Sequence, residues 1–457
     1  MSFHRSGNWR IGSGRLTDRK QHRIPGSEVH DMLKRLKYAV TDHPLLTTLV
    51  GLRGNPRACV YTEPLWGIPY SLYVPFFTLY MYALGVNDQQ IGFLISIGMV
   101  FQVFAALLGG VLTDKLGRRL TTVIFDVLSW SVPTLIWAFS QNFWWFLVAA
   151  ISNSLWQITN NSWNCLLVED CEPEKLVHIY TWVTISGLLA VFFAPISGLL
   201  VETLTVVPAV RILFGLTFIM MTAKFIILYR YSRETKRGEI RRAETKGVSI
   251  WTMLGQYKSV FSLMLHTKET LQVLGIMLVL NITSMISGSF FSLYVTQNLQ
   301  VPDSWLAYFP MARAAVMLIF IFSIQTMLNR LSFHIPVMTG LVFYLASQIL
   351  LIFAPAGQPV WLILYVLCEA LAFALVVPQK DTLLVLFVNP EERARIISLI
   401  YVAMIGLSAP FGTIAGLLSA YSRRLPFVLN IIFYLLCMLL VMRMRHDSRK
   451  RSSQASQ

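Results

Sequence analysis

Twelve long apolar segments constrain the fold of this chain more than any other feature. Each has about 20 residues or more, enough for a helix to cross a hydrocarbon core of roughly 30 Å. Backbone groups in lipid must be hydrogen-bonded within the protein, which favours helices. With 55% hydrophobic and only 13% charged residues, the chain is predicted to be an all-α membrane protein with 12 transmembrane helices. The segments are 60–84, 91–112, 120–140, 143–168, 178–201, 207–229, 270–296, 304–328, 334–354, 359–387, 396–421 and 425–442.

The positive charge of the chain is distributed by side of the membrane. The formal net charge is +15, and of the 38 Lys and Arg residues 32 fall in the termini and alternate loops of one side. Three fall on the other side and three within the segments. The positive-inside rule therefore predicts that both termini and the central loop are cytoplasmic. No separate basic domain with interleaved aromatics is present, so nucleic-acid binding is not predicted.

The chain also repeats itself. Phe-Phe-Thr-Leu-Tyr at 76–80 matches Phe-Phe-Ser-Leu-Tyr at 290–294, and Pro173 and Gly198 have counterparts at Pro390 and Gly416. These matches keep nearly one offset, which indicates two six-helix bundles, a 6+6 pseudo-repeat. The predicted regions are a basic N-terminal region 1–57, bundles 58–229 (the first half) and 269–443 (the second half), a basic linker 230–268 and a basic tail 444–457.

A glycine-punctuated basic turn, Gly-Val-Leu-Thr-Asp-Lys-Leu-Gly-Arg-Arg at 110–119, joins segments two and three. Glycines permit tight turning and close backbone approach, and Asp114 can accept hydrogen bonds from an Arg or from helix amides. The pattern resembles the loop between the second and third helices of the major facilitator superfamily of secondary transporters. The resemblance implies that segments 1, 4, 7 and 10 line a central cavity. It also implies a gating role for Gly110, Asp114, Gly117, Arg118 and Arg119.

An acidic turn at 169–174 lies on the same side and is expected to form salt bridges with the basic turn. Toward the same side of segment ten, Lys380 and Asp381 either close an inner gate or neutralise each other. Glu63 opens segment one and is expected to pair with cytoplasmic cations. A short amphipathic helix at 27–42 either packs on the protein or attaches to anionic lipid.

Segment four carries amides and indoles at three- and four-residue steps, which places them on one helical face. Such a stripe either binds a small organic ligand or supplies hydrogen bonds between helices. Four aromatic side chains are expected to face the cavity, and two are in this segment. The predicted substrate-binding residues are Tyr70, Asn153, Trp156, Gln157, Asn160, Trp163, Asn164, Asn281, Phe290, Arg313 and Glu369.

Ionisable residues at bilayer depth are costly and are therefore functional candidates. Glu369 and Arg313 lie at a similar depth in segments ten and eight. They are predicted either to form a structural ion pair or to couple transport to protons through titration of Glu369. Asp126 in segment three is a second proton-coupling candidate or a hydrogen-bond partner of a neighbouring helix.

The function predicted is secondary active transport of a small organic solute by alternating access, coupled to a proton gradient, with efflux of amphipathic, drug-like compounds favoured. Uptake of a sugar or other polar nutrient and a non-transporting membrane sensor are the alternatives. No P-loop is present and the histidines and cysteines are scattered, so no ATP, metal, cofactor or enzyme activity is predicted. The expected protein is a monomer in the plasma (inner) membrane, with anionic lipids at its basic cytoplasmic segments.

Overall fold

A computed structural model describes residues 44–255, 268–323, 334–387 and 393–455. Those residues form helices and no strands. Helix α1 (Pro44–Gly51) belongs to a separate unit, and Leu52–Gln457 form the second unit. The predicted amphipathic helix at 27–42 lies outside the described residues. The rest of this section concerns the second unit.

The first half and the linker contain helices α2 to α14. These are α2 (Gly54–Thr62), α3 (Pro64–Tyr73), α4 (Phe77–Ala83), α5 (Asp88–Leu116), α6 (Arg118–Asp126), α7 (Val132–Phe139), α8 (Phe143–Asn153), α9 (Trp156–Val168), α10 (Leu176–Val191), α11 (Ala194–Leu204), α12 (Val206–Tyr231), α13 (Lys236–Glu244) and α14 (Ile250–Gly255).

The second half contains longer, less interrupted helices. These are α15 (Lys268–Leu293), α16 (Tyr308–Ser323), α17 (His334–Phe353), α18 (Pro359–Phe387), α19 (Arg393–Tyr421) and α20 (Leu425–Ala455). A π-helical turn at Val127–Ser131 joins α6 to α7, and another at Tyr294–Asn298 ends the helix that α15 begins.

Within the described part of the chain, nine helical spans are long and apolar enough to cross a membrane. They correspond to nine of the twelve predicted segments. The others, 60–84, 143–168 and 304–328, are divided into shorter helices or extend beyond the described residues. The first is broken at Pro64, whose ring lacks an N–H and occupies the first position of α3.

The internal repeat is visible in the hydrogen bonds of two aligned tyrosines. Tyr80 Oη donates to the Trp137 carbonyl at 2.7 Å, and Tyr294 Oη donates to the Leu351 carbonyl at 3.2 Å. In each case the acceptor lies 57 residues beyond the tyrosine. Both tyrosines are fully buried. The sequence match at 76–80 and 290–294 therefore reflects equivalent packing in the two halves.

The two halves contact each other most extensively between α5 and α19. A Cβ on Gly92 would meet the Gly412 carbonyl and the Gly416 backbone, so only glycine permits this close approach. Ser96 Oγ donates to the Ala409 carbonyl at 2.5 Å, and Asp88 binds Arg423 at 3.1 Å. Asp88 begins α5, whereas the basic turn follows its other end. These contacts therefore join the halves at the end remote from the basic turn.

Candidate functional site

A cavity of about 470 Å³ lies in the second half. It is bordered mainly by α15, α16 and α18, and from the first half only Val74 and Pro75 reach it. Its polar lining includes Asn281, Arg313, Glu369 and Lys380. A cavity of this size, lined by both apolar and polar side chains, suits a small organic ligand.

Arg313 and Glu369 form an ion pair, which is one of the two predicted arrangements. Arg313 Nη1 donates to Glu369 Oε1 at 3.2 Å, and the guanidinium lies 5.2 Å from the ring centroid of Phe373. The Arg313 side chain is 42% exposed and that of Glu369 16% exposed, both within the cavity lining. A pair exposed to this degree can exchange its partners for a charged group on a ligand.

Aromatic rings form the cavity walls around this pair. Phe291 stacks on Tyr365 with centroids 5.1 Å apart and meets Phe309 edge-on at 5.2 Å. Tyr344 and Tyr434 stack at 4.8 Å. These flat surfaces suit an apolar or aromatic portion of a ligand.

Several predicted binding residues lie elsewhere. Phe290 is 1% exposed in the hydrophobic core, and its neighbour Phe291 lines the cavity instead. Successive helical residues point about 100° apart, so a one-residue difference decides between core and cavity. Asn281 lines the cavity but also donates to Ser408 Oγ at 2.9 Å, which ties α15 to α19. The Asp381 side chain lies outside the described residues.

The amides of segment four make local and interhelical hydrogen bonds. Asn153 Nδ2 donates to the Ser129 carbonyl at 2.8 Å, and Asn164 Nδ2 donates to the Asn160 carbonyl at 2.6 Å. None of the predicted segment-four residues borders the described cavity, and Asn160 is exposed. Two further members of the stripe, Trp156 and Gln157, are half-buried.

A second group of charged residues lies buried in the first half. Lys224 Nζ donates to Glu63 Oε2 at 2.9 Å, with side chains 5% and 12% exposed. Glu63 therefore pairs with a lysine of α12, which corrects the expectation of a cytoplasmic partner. The Lys224 ammonium also lies 5.8 Å from the centroids of Trp66 and Trp163.

Asp126 and the remaining aromatic candidates adjoin this group. Asp126 is 6% exposed, interacts electrostatically with Lys224 and Glu63, and lies within hydrogen-bonding reach of Thr159. Tyr70 stacks on Trp66 with centroids 4.7 Å apart. Tyr70 and Trp163 are thus parts of this first-half cluster and not of the second-half cavity.

The basic turn forms the predicted salt bridges with the acidic turn. Arg118 Nε donates to Glu169 at 3.0 Å, and Arg118 Nη1 donates to Asp114 at 3.0 Å. Gly117 adopts a φ of 90°, which favours glycine. Gly110, in contrast, lies inside α5, so the turn is shorter than the motif suggests.

The linker completes this network. Glu234 accepts hydrogen bonds from the backbone amides of Arg118 and Arg119, at 2.8 and 3.1 Å, and so caps α6. Arg241 Nη2 donates to Asp114 at 2.8 Å, and this hydrogen bond raises the pKa of Arg241. Helix α13 is thereby held against the turn.

The sequence matches the family model described as Major Facilitator Superfamily at residues 66–412 and 273–457. The chain belongs to the major facilitator superfamily. It is therefore a multi-pass membrane protein of a transporter family and not an enzyme.

Among curated relatives, this superfamily member is similar to two proteins named multidrug resistance protein MdtG. It is 26% identical to the one from Yersinia enterocolitica over 210 residues, covering 44% of this chain and 49% of the relative. It is also 26% identical to the one from Rahnella sp. over 259 residues, which cover 54% of this chain and 59% of that relative. The matched part thus spans about half the length of these relatives.

Solved structures of two transporters share the superfamily fold. One is nucleoside transporter NupG, with a TM-score of 0.64 and 16% identity, covering 86% of this chain and 98% of that one. The other is a POT family transporter in complex with 5-aminolevulinic acid, with a TM-score of 0.66 and 13% identity, covering 86% and 96%. At these identities the likeness shows the fold alone.

Sequence reasoning missed three residues that organise these regions. Lys224 is an isolated cation in an apolar segment, and its depth was the available signal. Trp66 and Glu234 carried no signal, because Lys224, which lies near Trp66, and Arg118, which binds Glu234, are far away in sequence.

Proposed function

We propose that the protein is a secondary active transporter that moves a small organic solute by alternating access. Its 12 transmembrane helices form two six-helix bundles, 58–229 and 269–443, with the N-terminal region, linker and tail in the cytoplasm. The protein works as a monomer in the plasma (inner) membrane. The resemblance of the two halves in sequence and in the hydrogen bonds of Tyr80 and Tyr294 supports this arrangement.

The observation that carries the proposal is the second-half cavity, with the Arg313–Glu369 pair between aromatic walls. Stacked rings offer apolar area to an amphipathic compound, and the pair offers either sign of charge to its polar end. The MdtG relatives are named multidrug resistance proteins. Together these features favour efflux of drug-like compounds.

Uptake of a polar solute is the second candidate. Short polar side chains of α15, namely Asn281, Ser284 and Ser287, border the same cavity. They provide hydrogen-bonding groups for a sugar or a similar nutrient. Saturable accumulation of one polar solute would favour uptake over efflux.

Gating is proposed to use the contacts between the halves. The Asp88–Arg423 pair and the glycine contact of α5 with α19 close the end remote from the basic turn. On the opposite side, the network around Asp114 and Arg118 fixes the linker to the first half. Lys380, which lines the cavity, is proposed to act as a gate residue with Asp381. Opening requires the α5–α19 contact to separate while the basic turn keeps its internal bonds.

Coupling to protons is proposed to involve Glu369 or Asp126. A carboxylate at bilayer depth can bind a proton on one side and release it on the other as its surroundings change. Glu369 faces the cavity, where its bond to Arg313 competes with the solute.

The test is transport in proteoliposomes with an imposed pH gradient. Fluorescent lipophilic compounds should be moved by the wild-type protein, and Glu369→Gln should lose gradient-driven movement. Glu202→Gln removes an exposed carboxylate of α11 and serves as the matched control. Gradient-driven transport that persists unchanged in Glu369→Gln would overturn the role of Glu369, and failure to move any solute would overturn the transport proposal.

A further inference from the structure

We infer that the second-half cavity takes an organic anion, with an acidic group attached to a flat aromatic or apolar body. The inference rests on the proposed transport function and deepens it by naming the class of solute. Three features of the cavity carry it. These are the unequal exposure of the Arg313–Glu369 pair, the hydrogen-bond donors around the pair, and aromatic rings that lie one helical turn away.

The cation of the pair is more accessible from the cavity than the anion. Both side chains border the cavity, and that of Arg313 is the more exposed. The hydrogen bond to Glu369 Oε1 uses one N–H of Arg313 Nη1, whereas a guanidinium carries five N–H donors. A carboxylate or a similar oxyanion can accept two parallel hydrogen bonds from a guanidinium. The pair therefore presents a binding group for an anion.

Further donors surround the pair. Tyr344 and Tyr365 border the cavity and interact electrostatically with both Arg313 and Glu369. Each tyrosine hydroxyl can donate a hydrogen bond to an oxyanion. Lys380 borders the cavity ~16 Å further along α18 than Glu369. Among the described residues of the lining, Glu369 is the one acidic side chain. A negatively charged group that accepts hydrogen bonds is the chemical complement of this lining.

Aromatic rings lie close to the pair on two helices. Phe309 precedes Arg313 by four residues in α16. Tyr365 precedes Glu369 by the same four residues in α18. Four residues are about one turn, which advances ~5–6 Å along a helix. Both rings contact Phe291 of α15. A flat body can therefore lie against these rings while an acidic group attached to it reaches Arg313.

A cationic solute fits this arrangement less well. To bind Glu369, its charge must displace Arg313 and leave the guanidinium without its partner, which is costly at bilayer depth. An anion can bind Arg313 from the exposed side. Glu369 repels the same anion and competes with it for the guanidinium. The two members of the pair therefore act on an anionic ligand in opposite directions.

The test is calorimetric titration of the full-length protein in neutral detergent at neutral pH with three naphthalene probes. They share one ring system and differ in charge: 2-naphthoate, 2-naphthalenemethanol and 2-naphthylmethylammonium. We expect 2-naphthoate to bind about tenfold or more tightly than the neutral alcohol, because its carboxylate engages the guanidinium. The ammonium probe should bind more weakly than the alcohol.

Variants of the pair should change the affinity for 2-naphthoate in opposite directions. Arg313→Gln should weaken binding about ten- to hundredfold, since it removes a charged donor. Glu369→Gln should strengthen binding about two- to fivefold, because it removes a like charge beside the ligand. Disturbed packing would weaken binding in both variants. Arg237→Gln removes an exposed arginine of α13 and serves as the matched control, with wild-type affinity expected.

Tyr365→Phe supplies an independent test should Arg313→Gln fail to fold. It keeps the ring and removes one donor, so a loss of about two- to tenfold is expected for 2-naphthoate. The inference is overturned if 2-naphthoate binds no more tightly than the alcohol, or if Glu369→Gln weakens its binding. Movement of other lipophilic compounds in proteoliposomes would then leave the transport proposal standing. Specific binding of 2-naphthoate without movement of any solute would overturn the transport proposal and leave the anion site standing.

Discussion

The two halves of the molecule each contain an ion pair at bilayer depth, but in opposite surroundings. In the first half, Lys224 and Glu63 are 5% and 12% exposed and lie against indole rings. In the second half, Arg313 and Glu369 are 42% and 16% exposed and border a cavity. The first pair is part of the packed structure, whereas the second pair is accessible to a solute. An ion pair therefore contributes to helix packing where it is buried and can contact a solute where it borders a cavity.

The difference in burial between the two ion pairs should have its largest effect on the free energy of unfolding. Removing one partner of a buried pair leaves an uncompensated charge, so Lys224→Met should lower the free energy of unfolding by ~3–5 kcal/mol. Arg313→Met should cost less, ~1–3 kcal/mol, because the one carboxylate that it leaves, Glu369, borders a cavity. Thermal unfolding of purified protein in detergent measures both. Comparable losses in the two variants would contradict the distinction.

A double variant tests whether charge or packing causes this loss of stability. Lys224→Met combined with Glu63→Gln removes both charges of the pair, so part of the lost stability should return. If the double variant is as unstable as the sum of the single variants, packing and not charge explains the loss.

The basic turn gives the first half a second rigid region, for which Gly117→Ala is the test. A Cβ there would meet the Glu234 carboxylate, and the φ of 90° is unfavourable for alanine. We expect a loss of ~1–3 kcal/mol in unfolding free energy. Gly215→Ala in α12, where a Cβ has open space, should instead raise stability by ~0.5–1 kcal/mol through helix propensity. Equal effects would mean that the turn does not require glycine.

The smallest expected difference concerns the aligned tyrosines. Tyr80 Oη donates at 2.7 Å and also contacts Arg211, whereas Tyr294 Oη donates at 3.2 Å. Each Tyr→Phe change should cost ~0.5–1.5 kcal/mol, with Tyr80→Phe the larger loss. Unfolding measurements on the two variants test this order. A larger loss at Tyr294 would show that the halves are less equivalent than their hydrogen bonds indicate.

The sequence by itself determined the membrane-spanning class, the repeat and the basic turn. Apolar length and composition are local properties, and a repeated motif is visible without any knowledge of packing. Depth along a helix also follows from residue counting, since each residue advances 1.5 Å. Residue counting placed Arg313 and Glu369 at a similar depth, and the two residues form an ion pair.

Only the tertiary structure decided which side chains share a site. Glu63 and Lys224 are 161 residues apart, and nothing local links them. Phe290 lies in the core while Phe291 lines the cavity, because the rotation of α15 against its neighbours selects the face. Glu234 caps α6 from the linker, a contact made possible by the position of α13 beside the turn. Helical periodicity relates residues within one helix, but partners between helices depend on how the helices pack.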